Sequence, residues 1–206
     1  FFANPQVNMR EGSSPDLVVV DVDVEEKPTG SLNFGGTFSV NDRFGLAINL
    51  KEKNFLGRGQ EVSLSVSTAQ EARRYGFQFV EPSFLGRDVR FGLQFDYSET
   101  DSEFATFDSE KLLFQPSLTF PVSENGRLQL RYTLEQLNVL KRNIAANGVV
   151  IGKDILVGEQ LSSSVGYTYR YDTRITGLNP DAGVLFEFAQ DFAGLGGDSK
   201  YVPIPP

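Results

Sequence analysis

The sequence predicts an all-β chain of antiparallel strands, and three observations carry that prediction. Apolar and polar residues alternate with period two through most of the segments from Ser31 to Tyr171, the signature of a strand with two unlike faces. No segment sustains the 3.6-residue period of an amphipathic helix. The links between segments also alternate in kind, compact Gly- and Asp-containing bends at one end and longer polar links at the other.

Composition narrows the function classes. The 206 residues include no cysteine and no histidine. That removes thiolate nucleophiles, zinc-thiolate sites, the commonest general base and every Ser-His or Cys-His pair. A formal charge of −8 argues against a nucleic-acid binder. Eighteen Phe and seven Tyr without tryptophan suit strands. No run reaches the ~18 apolar residues of a membrane helix, and no signal peptide is visible in "FFANPQVNMREG". A barrel strand needs only ~9–11 alternating residues, so a membrane remains open.

Residues 1–29 stand apart. Val20, Val22 and Val24 alternate with Asp21, Asp23 and Glu25, a strand with one wet acidic face. "NPQVNMREG" reads as its hairpin partner, "GSSPD" as the turn and "KPTG" as a linker. Two strands do not make a stable unit alone, so the expectation is the end of a domain that begins upstream. From residue 30 the strands lengthen. Leu32, Phe34 and Phe38 come first, running to Val40, followed by Phe44, Leu46, Ile48 and Leu50. Val62, Leu64 and Val66 are next, then Tyr75, Phe77 and Phe79, then Val89 to Tyr97. Phe114, Leu118 and Phe120 precede Leu128 to Leu134, Val165 to Tyr171 and a short stretch at Val184, Phe186 and Phe188.

The compact bends are "NFLGRG" (Asn54, Gly57, Gly59), "SFLGRD" (Ser83, Gly86, Asp88), "PVSENG" and "GLNPDAG". The longer links are "VNDR", "STAQEAR", "SETDSEFAT" and the stretch around "NVLKRNIAANGVVIGKD". Short turns on one rim and long loops on the other are the habit of an outer-membrane barrel. The two near-identical bends are then neighbours on the short-turn rim. A soluble sandwich also alternates. The absence of charge on the apolar face and the small polar residues opposite favour the barrel.

Chemistry-bearing constellations are few. "GVVIGKD" at Gly148–Asp154 is one residue short of a phosphate loop, and "GLGGDSK" lacks a strand-glycine-helix setting, so it reads as a turn. Asp96, Asp101 and Glu135 are candidates for a luminal carboxylate pairing, but nothing in the sequence fixes their geometry. Asp172 and Arg174 share the luminal parity and are the candidate ion pair near the rim. No catalytic, cofactor or metal residues are assigned, and no enzyme activity is expected.

"VVVDVDVEEKPTG", "FGGTFS", "LKEKNFLGRGQ", "VEPSFLGRD", "YDTRITGLNPDAG" and "LGGDSKY" occur in that order. Together they resemble the BamA family of outer-membrane assembly factors, the alphaproteobacterial type in particular. The resemblance implies that residues 1–29 are the last strands of the final POTRA domain, which lies in the periplasm. Residues 30–206 would be the N-terminal half of the outer-membrane barrel, about eight or nine of roughly sixteen strands. It implies that the first barrel strand, Leu32, Asn33, Phe34, Gly35, Gly36, Thr37 and Phe38, templates the edge of incoming barrel proteins. Implied partners are nascent barrel proteins, outer-membrane lipids and accessory lipoproteins, with no cofactor and no nucleic acid. The family's Val-Arg-Gly-Phe-type motif does not occur, so the chain is expected to be a fragment that does not insert proteins by itself. A sister assembly factor, a two-partner-secretion exporter and a small self-contained pore or anchor are the alternatives.

Overall fold

The computed structural model describes residues 2–14, 16–39, 43–101, 107–141, 159–174 and 182–197. Within them lie eleven strands in two antiparallel sheets. β1 (Phe2–Glu11) and β2 (Val18–Glu26) form a hairpin of their own, with Val7 opposite Val22 and Asn8 opposite Asp21. Arg10 Nε donates to Asp21 Oδ2 at 2.7 Å on its polar face. The hairpin expected from the valine-acid alternation is present.

The second sheet is a nine-stranded meander in which every strand neighbours its successor. Its strands are β3 (Gly30–Ser39), β4 (Arg43–Phe55), β5 (Gln60–Ala69), β6 (Ala72–Glu81) and β7 (Arg90–Thr100). They continue as β8 (Phe107–Pro121), β9 (Gly126–Lys141), β10 (Glu159–Asp172) and β11 (Leu185–Gly197). Register keeps like with like: Leu50 faces Leu64, Leu64 faces Phe77, Phe77 faces Phe95 and Phe95 faces Phe114. The opposite face runs Ser63, Gln78, Gln94 and Gln115 at the same level. A slip of one residue would turn each apolar row over, so the alternation holds the register.

The apolar face decides between barrel and sandwich. In a sandwich it would be buried against a second sheet. Here Phe34, Phe44, Leu46, Leu64, Phe95, Phe114 and Leu130 are all exposed, and no second layer covers them among the described residues. The polar face is the hollowed one: Gln78, Gln94, Gln115 and Gln129 line a recess with Ser117 and Arg131. That inversion is what a lipid-facing wall around a hydrated interior requires.

Three readings change. The link at Ser67–Arg73 is no long loop, because β5 and β6 are joined through Gln70 and Glu71 alone. β11 is not short, and it carries Gly194, Gly196 and Gly197 of the presumed "GLGGDSK" turn inside the strand at φ 102°, 143° and 93°. Gln190, Asp191 and those glycines hid the alternation. Charge also occurs on the apolar parity, at the strand ends: Glu52 and Glu81 towards the compact turns, Arg73, Glu99 and Glu110 towards the other rim. The uncharged stretch is a band between them. Val40, "GVVIGKD", most of "GLNPDAG" and "YVPIPP" lie outside the described residues.

Candidate functional site

Three places on the meander hold the residues singled out above. The first is β3. Leu32, Phe34, Gly36 and Phe38 share the outer parity, opposite Leu50, Ile48, Leu46 and Phe44 of β4. Asn33, Gly35 and Thr37 fall on the inner parity. Among the described residues β3 pairs with β4 alone, leaving its other edge unpaired. The two glycines are not demanded by space. A Cβ at Gly35 would meet nothing within 4 Å, and at Gly36 the nearest atoms lie at 3.9 Å. Glycine therefore weakens this strand without relieving a clash.

Elsewhere in the sheet a glycine lies close against a neighbouring side chain, which would have to turn aside for a Cβ. At Gly76 a Cβ would strike Ser65 Oγ, and at Gly92 it would stand 2.7 Å from Ser117 Oγ.

The second place is the repeated rim turn. In one copy Gly57 N donates to Asn54 O at 3.0 Å, and in the other Gly86 N donates to Ser83 O at 2.9 Å. Leu56 and Gly57 sit at φ 55° and 72°, Leu85 and Gly86 at 56° and 69°. The repeat reaches further back than the quoted stretches. Glu52 Oε1 accepts from Asn54 N at 2.8 Å and Glu81 Oε1 accepts from Ser83 N at 3.0 Å. Asn54 Oδ1 also accepts from Gly59 N at 2.7 Å. The turns are tied together, since Gln60 Nε2 donates to Glu81 Oε2 at 2.6 Å. Asp88 pairs with Arg127 at 3.5 Å, linking the second turn to β9.

The third place is the interior wall. Arg174 donates to Asp172 through Nε and Nη2, each at 2.9 Å, and Arg170 Nη2 joins at 3.0 Å. The hydrogen bond to Asp172 holds the Arg174 guanidinium above its ordinary pKa. Asp96 and Glu135 do not pair with each other: Gln94 Nε2 donates to Asp96, and Lys111 bridges to Glu135 at 2.8 Å. The Asp101 amide donates to Glu71 O at 2.8 Å.

One interior contact spans three strands, and no local pattern announces it. Arg131 of β9 donates through Nε and Nη2 to the two oxygens of Asp191 on β11, at 2.9 and 2.5 Å. Its Nη1 donates to Thr168 Oγ1 at 2.6 Å. Between them on β10 lies Gly166, where a Cβ would overlap Asp191 Oδ1 and stand 2.8 Å from Arg131 Nε. A mid-strand glycine is the only trace of this in the sequence, and it needs the three-strand register to be read. Among the described residues no cluster fit to hold a metal occurs.

Comparison with known proteins places this geometry. The Omp85 superfamily domain matches residues 54–204. A putative outer membrane protein assembly factor of Treponema pallidum is 36% identical over 101 residues, 47% of this chain and 12% of that protein. The outer membrane protein assembly factor BamA of Nitratidesulfovibrio vulgaris is 23% identical over 98% of this chain and 25% of its own length. A Sorting and assembly machinery component 50 homolog of Xenopus tropicalis is 24% identical over 93% of this chain and 40% of its own. The chain thus spans well under half the length of these relatives. In fold it is similar to the crystal structure of BamA from Haemophilus ducreyi lacking POTRA domains 1-3, with TM-score 0.69 and 20% identity over 97% of this chain and 41% of that one. Motif order, meander and domain match agree, and the chain belongs to the Omp85 superfamily.

Proposed function

We propose that this chain is the leading half of the barrel of an outer-membrane assembly factor, in which β3 offers its unpaired edge to incoming barrel proteins. The observation that carries the reading is the pair of glycines at Gly35 and Gly36, which weaken an edge strand where side chains would fit. An exposed edge supplies main-chain hydrogen bonds without reading side chains, so one strand accepts many client sequences. β1 and β2 pair with each other and not with β3, so in a complete barrel the partner of that edge comes from a later strand or a client. The reading requires no chemical turnover. Residues 1–29 would close a periplasmic POTRA domain, the meander would sit in the outer membrane, and accessory lipoproteins would bind elsewhere on the whole protein. Relatives named as assembly factors support the role in general. A self-contained pore would need β3 to meet β11, and the two are not paired among the described residues.

The test uses the full-length protein with single cysteines at Asn33 and Gly35, and a client carrying cysteines along its terminal strand. Disulfide formation in a fixed register, captured during insertion, is expected. Equal crosslinking from Ser65 on β5, or insertion that proceeds with no crosslink at β3, would refute the templating edge.

A further inference from the structure

We propose that the two Phe-Leu-Gly-Arg turns, Phe55–Arg58 and Phe84–Arg87, are a paired anchor in the lipid headgroup zone of the membrane leaflet on the compact-turn side. Leu56 and Leu85 enter the apolar boundary, and Arg58 and Arg87 meet lipid phosphate. The inference rests on the membrane reading above and adds to it a binding role for the rim.

Four observations converge. Leu56 and Leu85 both occupy the left-handed backbone region, at φ 55° and 56°, where glycine sits without strain. Keeping leucine there twice implies a return from the side chain. That return is not packing within the chain, because Leu56 is 74% exposed and Leu85 81%. The preceding phenylalanines continue the apolar wall to its rim. Phe55 opposite Gln60 is exposed, and the Phe84 ring stacks on Phe91 with centroids 5.2 Å apart. The leucines are thus the next apolar groups beyond a lipid-facing surface, which says what covers them. Finally, each leucine is followed two residues on by an exposed arginine. Neither Arg58 nor Arg87 makes an ion pair among the described residues, although Arg58 lies near enough to Glu81 to feel its charge. The nearby carboxylates are otherwise engaged: Glu52 and Glu81 accept from the turn amides, and Asp88 forms an ion pair with Arg127. Apolar tip and basic neighbour match the acyl boundary and phosphate layer of a bilayer. The third turn, through Val122 and Glu124, carries neither leucine nor arginine, and serves as the internal contrast.

The chain has no cysteine of its own, so depth can be read by spin labels on single cysteines at 56, 85, 64 and 124. The full-length protein is used, with any cysteine outside this stretch replaced and folding checked by heat-modifiable migration. In vesicles of phosphatidylethanolamine and phosphatidylglycerol, labels at 56 and 85 should collide with oxygen over a nickel chelate several-fold more than the label at 124. Replacing Arg58 and Arg87 by Gln should make them shallower in those vesicles and leave them unchanged in phosphatidylcholine. Labels at 56 and 85 that behave like 124, or that are shielded from both reagents by protein, overturn the anchor. A depth indifferent to the arginine changes overturns the phosphate contact. A label at Leu64 that reads water would instead sink the membrane reading itself, so the two failures are distinguishable.

Discussion

Arg131 grips Asp191 across an intervening strand, two hydrogen bonds of 2.9 and 2.5 Å passing over the bare backbone of Gly166. The Arg131 side chain is 14% exposed, and its third contact is Thr168 on the same intervening strand. Three strands are thereby locked at one level by a two-pronged ion pair of the kind arginine makes best.

Gly166→Val should therefore act as an ion-pair mutation. It should lower the stability of the full-length barrel in detergent by about 1–3 kcal/mol, the usual cost of overpacking. The check is a double-mutant cycle read from denaturant midpoints. In an Asp191→Ala background the same valine should cost markedly less, because the clash and the pair are one feature. Full additivity would show that they are separate.

The rim cluster of Arg170, Asp172 and Arg174 should behave differently. Its side chains are 28–48% exposed, where solvent screening leaves ion pairs little net effect. Asp172→Asn should leave the unfolding midpoint within reproducibility, while Asp191→Asn, which removes the charge partner of the little-exposed Arg131 side chain, should lower it measurably.

The strained leucines give opposite signs for two small changes. Left-handed leucine costs about 1–2 kcal/mol, and glycine loses about 0.5–1 kcal/mol of that through chain entropy. Leu85→Gly should thus be neutral to slightly stabilising in detergent, whereas Leu85→Val, branched at Cβ, should destabilise by about 1 kcal/mol. Urea titration of tertiary fluorescence or migration would separate them. A stabilising valine would contradict the φ of 56° at Leu85.

Neighbouring residues on opposite faces provide a test of the wall. Leu64→Arg places charge within the apolar band and should cost about 2–4 kcal/mol of folding into lipid vesicles. Ser65→Arg, one residue on and facing the interior, should fold nearly as well. Equal penalties would favour a sheet without a lipid face.

At the exposed edge, Gly35→Val and Gly36→Val should strengthen the pairing of β3 with β4, since both sites have room and valine favours strands. The expected outcome is a barrel at least as stable but several-fold slower in inserting clients into proteoliposomes. Unchanged insertion would detach the glycines from the proposed templating.

Much of the fold was legible because its signal is local. Leu64, Val66, Phe77 and Phe79 alternate against serine, glycine and glutamine whatever they later pair with, and "FLGRG" beside "FLGRD" marks two like turns before any register is known. The signal faded where the physics stopped being one-sided. Beyond the lipid band both faces of a strand are wet, so the sequence around Gln70 and Glu71 reads as a polar link although the chain there makes a tight hairpin. In β11, polar residues and glycines at Gln190–Gly197 erased the alternation. By itself, then, the sequence determined most of the strands, their apolar faces and the compact turns, because these follow from residue type and period. Only the tertiary structure decided that Arg131 meets Asp191, that Gly166 exists to let them meet, and that Gly35 and Gly36 fill no such need. A contact across three strands depends on their mutual register, and that is set by the sum of many pairings which no short stretch contains.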